Sequence, residues 1–138
     1  MFNLKKFENA HARVVDKITV TRTQSIGFPT KFYNDKNIKS FKYVVLYYDA
    51  EQKAIGIDFT NNVEEKSKFT IIHSKKGYGG SIIARSFFTT NEIDTNKYYG
   101  RYSWEKAPVP GVGDVFVIKL AERQPEPILP QTEPVVQS

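Results

Sequence analysis

The chain has 138 residues, 40% hydrophobic and 14% aromatic, with a formal charge of +5 and no cysteine. That is one compact domain's length, too rich in Tyr and Phe for a disordered chain, and the missing cysteine excludes disulfides and thiolate metal sites. No apolar run is long enough to cross a bilayer, and MFNLKKFENA has two lysines with no apolar region after them, so neither a membrane span nor a signal peptide is expected.

The charge is uneven. The last 18 residues, AERQPEPILPQTEPVVQS, hold four of the seven prolines. They carry Glu122, Glu126 and Glu133 against Arg123, a balance of −2 that leaves +7 for residues 1–120. A basic body with a short acidic tail points to an anionic partner, the plainer alternative being a soluble surface.

Residues 1–16 read as a lead segment. KITVTRT (17–23) alternates Ile18 and Val20 with Thr19 and Thr21, a half-buried strand. SIGF (25–28) continues extended. Pro29 suits the first position of a short helix over Lys31–Asp35 that buries Phe32, and NDKN (34–37) ends it. KYVVLYY (42–48) and AIGIDF (54–59) form a hairpin across the polar turn DAEQK. Residues 60–67 are a charged loop. FTIIHS (69–74) is a strand, KKGYGG (75–80) a glycine-rich turn, Ser81–Ala84 the next strand and Arg85–Asn91 a second short helix. Arg101–Trp104 and Asp114–Leu120 read as the last hairpin, joined through PVPGVG (108–113). From residue 121 the prolines argue for a disordered tail.

Two stretches repeat one order of residues. Setting Ser25 on Ser81 brings Ile26 onto Ile82, Thr30 onto Ser86 and Phe32 onto Phe88; with one residue skipped, Ile38 meets Ile93. Tyr43 then falls on Tyr98, Tyr47 on Tyr102, IGIDF (55–59) on FVIKL (116–120), and KITV (17–20) on KFTI (68–71). Each half, 17–59 and 68–120, reads strand, strand, short helix, strand, strand. A unit of about 50 residues buries too little to stand alone. The expected fold is therefore α+β, mainly β: a small pseudo-symmetric barrel in which two repeats share one core. Chance alignment of short Tyr-, Ile- and Phe-rich runs is the alternative.

The order strand, small-Ile-x-aromatic-Pro, short helix, hairpin resembles the swapped-hairpin barrels of AbrB and MraZ transcription regulators. Gln24–Pro29 stands where that family has a Gly-Arg-hydrophobic-x-Ile-Pro segment, and Gly80–Arg85 is the second copy. The Gly-Arg pair is absent from the first copy, and only Gly80 remains in the second, where Arg85 replaces the proline. The family's DNA-contacting arginine therefore has no match residue for residue. The resemblance implies double-stranded DNA binding, transcription regulation, a homodimer or larger assembly, and a cytoplasmic, nucleoid-associated location.

No catalytic motif emerges. His11 and His73 are the only histidines and have no metal-ligand spacing; His73 and Ser74 are strand neighbours whose side chains diverge. Asp49, Glu51, Asp58, Glu64 and Glu65 fall on turns and solvent faces without forming a recognisable acid–base pair. GYGG lacks the GxxxxGK[ST] spacing of a phosphate loop and reads as a hairpin tip. Neither an enzyme nor a cofactor is expected. The basic groups do cluster: Arg22, Lys31, Lys36, Lys39 and Lys42 around the first helix, Arg85, Lys97 and Arg101 in the comparable zone of the second copy, and Lys75, Lys76 and Tyr78 at the glycine-rich tip. Set on both copies, they can neutralise phosphates on either side of a pseudo-dyad; the alternative is an ordinary solvated face. Two other readings stand beside duplex binding. One is single-strand binding by base stacking on Tyr43, Tyr47, Tyr98, Tyr102 and Trp104, for which core packing is the first guess. The other is a protein-interaction module whose Pro-rich tail serves as partner ligand or linker.

Overall fold

The computed structural model describes residues 2–4, 16–75 and 78–122. Lys76, His11, most of the lead segment and the Pro-rich tail beyond Glu122 lie outside the described residues. The protein is mainly β, built as two antiparallel five-strand sheets with short helices. The first sheet takes β1 (Ile18–Val20), β2 (Ser25–Pro29), β6 (Ile72–His73), β7 (Gly79–Ile83) and β8 (Gly100–Tyr102), in the order β6-β7-β2-β1-β8. The second takes β3 (Tyr43–Asp49), β4 (Ala54–Thr60), β5 (Lys68–Thr70), β9 (Trp104–Val109) and β10 (Gly113–Lys119), in the order β5-β3-β4-β10-β9. Helices α1 (Thr30–Asp35) and α2 (Arg85–Thr90) follow β2 and β7, and α3 (Thr95–Tyr98) precedes β8. No described helix is long and apolar enough to cross a membrane.

Alternation decides the strands. Ile18 and Val20 of β1, and Ile26 and Phe28 of β2, point inward and are buried, while Thr19 and Gly27 face out. Pro29 closes β2 and is the N-cap of α1 rather than its first residue, and it offers no side-chain cap. Asn37, at φ 53°, turns the chain into the 3-10 turn Ile38–Ser40, a left-handed conformation that Asn adopts more readily than most residues. Phe32 of α1 and Phe88 of α2, matched in the sequence comparison, are both fully buried in one core cluster with Ile38, Ile55, Ile57 and Ile118.

The ladders bring the two halves together at matched residues. Ile26 faces Ile82 in the β2–β7 ladder, and Gly56 faces Val117 in the β4–β10 ladder. Strands also pair across the halves: β1 of the first with β8 of the second, and β5 of the second with β3 of the first. Only Ile71 separates β5 from β6, and only Ser103 separates β8 from β9, although the members of each pair belong to different sheets.

Three expectations need correction. The strand expected over 69–74 is divided at Ile71. The last hairpin is β9 with β10, turning at 110–112, and Arg101–Tyr102 belongs instead to β8, paired with β1. The tyrosine matches also fail: Tyr43 opens β3 whereas Tyr98 ends α3. Gly100 stands opposite Val20 as Lys42 bonds to Ile71, so Lys42 and Gly100 are the comparable positions. The four-residue helix α3, capped by Asp94 through its bond from the Asn96 N–H at 2.9 Å, displaces the register.

Candidate nucleic-acid interface

The outer face of the first sheet is low and nearly uncharged. Ile72, Ser81, Gly27, Thr19 and Arg101 stand in one row across its five strands. A groove of about 380 Å³ runs here, lined by Thr19, Gly27, Pro29, Ser81 and Tyr78 among others. A Cβ at Gly27 would meet only the Thr19 Cβ at 3.6 Å, an ordinary contact, so strand pairing does not require the glycine.

Basic groups gather beyond both ends of the β2–β7 ladder. At one end is the β1–β2 turn with Arg22. The Arg22 guanidinium lies 4.2 Å from the Tyr99 ring centroid and donates to the Tyr99 hydroxyl at 2.7 Å. Thr95 Oγ1 donates to the Arg22 carbonyl at 2.9 Å, fixing the turn to α3, and Lys97 is exposed on that helix. On the other side of the turn the Ala84 N–H bonds to the Gln24 carbonyl at 2.9 Å, placing exposed Arg85 beside it. Arg101 is exposed on β8, opposite Thr19. Arg22, Arg85 and Lys97 thus share one corner, and Arg101 adjoins it on the edge strand β8, in the middle row of the sheet.

At the other end the β6–β7 tip meets α1. Thr30 Oγ1 donates to the Tyr78 carbonyl at 2.7 Å. Tyr78 is 68% exposed, and Lys75 is exposed beside it. Lys31 sits on α1 but is paired with Asp35 at 2.7 Å, and this partner raises the Lys31 ammonium above its ordinary value. Lys39 and Lys42 are exposed on the segment from the 3-10 turn to β3. Lys42 joins this side through its carbonyl, which accepts the Ile71 N–H at 2.9 Å.

Lys36 is not brought to either corner. Its ammonium lies 4.5 Å from the Trp104 ring and 5.9 Å from that of Phe116. Tyr43, Tyr47, Tyr98, Tyr102 and Trp104 are all half-buried, and Tyr98, Tyr102 and Trp104 pack against the core. His73 Nε2 donates to the Phe41 carbonyl at 2.9 Å, leaving Nδ1 to accept from the Tyr33 hydroxyl at 2.7 Å. Both ring nitrogens are therefore engaged in holding β6 against α1 and the start of β3. Tyr99, the platform beneath Arg22, was not singled out by sequence; the run Tyr-Tyr-Gly-Arg leading into β8 is its only signal.

The second sheet carries mixed charge. Burial and then Glu65 push the Asp58 carboxyl above its ordinary value, and Asp49, Glu105 and Lys119 line the groove on that face with Tyr47. With the site's geometry thus defined, comparison with known proteins adds no relative: no family model matches the chain, and neither a curated protein nor a solved structure matches it.

Proposed function

We propose that this chain is a non-enzymatic, double-stranded DNA-binding protein acting in transcription regulation, with the outer face of its first sheet as the interface. On this reading the two halves are fused half-barrels of the AbrB/MraZ kind, a dimer written in one polypeptide. The matched pairs Ile26–Ile82 and Gly56–Val117, facing each other at two ladders, and the crossed pairings β1–β8 and β5–β3 support that architecture. The observation that carries the function is the disposition of basic groups beyond both ends of the β2–β7 ladder, in which Ile26 faces Ile82. The major groove is about 12 Å wide. Three strand spacings, from β8 to β7, span about 14 Å, so Arg101 on β8 and Arg85 after β7 are spaced to flank a groove of that width.

Labelled random-sequence duplex, titrated over a salt series with a single strand of equal length as competitor, tests the reading. The affinity is expected to fall linearly on a log–log plot. Arg85→Ala and Lys75→Ala should each reduce the slope by about 0.9, one phosphate contact apiece. Lys31→Ala should reduce it less, because Asp35 already neutralises that ammonium. Slopes unchanged in Arg85→Ala and Lys75→Ala, or a preference for the single strand that depends on Tyr78, would overturn it.

A further inference from the structure

The two corners are alike in place and unlike in chemistry. Of the three arginines among the described residues, Arg22 and Arg85 lie at the first corner and Arg101 adjoins it on the edge strand β8. Among the described residues the second has Lys31, Lys42, Lys75 and the exposed Tyr78, and no arginine. Where the first corner has Arg22, two residues after Val20, the second has His73, two residues after the comparable Ile71, and His73 is committed to Tyr33 and Phe41. Where the second half has Arg85 at the head of its helix, the first has Pro29, which brings no donor. The tips also differ in reach: the chain takes six steps from Val20 to Ile26 and eleven from Ile71 to Ile82.

These differences matter because arginine and lysine do different work on DNA. A guanidinium is a planar fork that matches the O6 and N7 acceptors of guanine in the major groove. An ammonium is a point charge on a flexible stem, suited to phosphate without regard to sequence. Arg22 is already oriented, its fork held on the Tyr99 ring and hydroxyl. A two-fold symmetric reader needs equal corners to select a palindrome, and these corners are not equal.

We propose that the corners divide one asymmetric duplex site: the arginine corner reads guanine edges, and the lysine–tyrosine corner grips backbone, so the preferred sequence is not palindromic. This deepens the duplex-binding reading and rests on it. The ladder between the corners is about 14 Å long, four steps of about 3.4 Å, or about four base pairs. One guanine-bearing element lies at one end of that span, and sequence-neutral contacts lie at the other.

Selection of the full-length chain on a randomised duplex pool tests this, followed by titration of the selected and scrambled duplexes. The expected motif holds a guanine element in one half only. Arg22→Lys and Arg101→Lys, which keep the charge, should each reduce discrimination between selected and scrambled duplex by about five- to a hundredfold while leaving scrambled-duplex affinity within about twofold. Lys75→Ala should weaken both duplexes equally. A palindromic motif, or full discrimination in both lysine variants with their circular dichroism unchanged, overturns the division of work while leaving duplex binding intact. Failure of the wild-type chain to bind any duplex at low salt overturns both readings.

Discussion

Phe32→Ala should lower stability by about 3–5 kcal/mol in urea unfolding, the cost of deleting a buried aromatic ring. Phe32 is fully buried. Its ring centroid lies 6.0 Å from that of Phe28, 6.2 Å from Phe59, 5.7 Å from Trp104 and 5.1 Å from Phe116. Those partners come from β2, β4, β9 and β10, so one side chain of the first half binds strands of both halves. Removal leaves a cavity among rings that do not collapse easily, because their own positions are fixed by strand register. Phe32→Leu refills much of the volume and should lose clearly less. A cost below about 1 kcal/mol for the alanine variant, far under the usual range, would contradict the shared core.

The second large effect is at Gly79, where β7 leaves the basic tip. Its φ is +123°, a conformation that side chains rarely adopt, and an added Cβ would stand 2.6 Å from the Phe28 carbonyl oxygen. That neighbour is backbone in the β2–β7 ladder, where Pro29 faces Gly79, so it cannot swing aside. Gly79→Ala should therefore cost at least about 2–3 kcal/mol from backbone strain and the displaced ladder end. Gly111 is the control: it too has a positive φ, +80°, but nothing lies within 4 Å of its added Cβ. Gly111→Ala should carry only the conformational cost, about 1 kcal/mol. Equal losses in the two variants, read from thermal unfolding, would show that the close approach at Gly79 carries no weight.

Local pattern is well written in this chain, and long-range pairing is not. The alternation of Ile18 with Thr19 and Val20, the hairpin across DAEQK, and the helices after Phe28 and Ala84 were legible because period and turn chemistry act over a few residues. The correspondence of Ile26 with Ile82 was legible as a repeat, and it marks two residues that face each other. The breaks at Ile71 and Ser103 were not, because a strand changes sheets by changing its hydrogen-bond partner while its own alternation continues. The four-residue helix α3 is too short to carry a 3.6 period, so the tyrosine register slipped with it. The same limit applies to the site. Clustered charge was visible in sequence, and the Lys31–Asp35 pair follows from i,i+4 spacing on a helix, but the contact of Lys36 with Trp104 crosses the fold and cannot be read from spacing. The unequal corners were half visible, in Pro29 set against Arg85; the gathering of Arg22 and Arg85 at one ladder end, with Arg101 on the adjoining edge strand, required the ladders.

The most direct test of the central claim is a residue-resolved titration: amide NMR shifts of the full-length chain on adding a short duplex. The account predicts shifts at Thr19, Gly27 and Ser81, across the outer row of the first sheet, and at Arg22, Lys75 and Tyr78 beyond its ladder ends, with Gly56 and Ala107 on the second sheet unmoved. Shifts centred on Gly56 and Ala107, or none at saturating duplex, would contradict it.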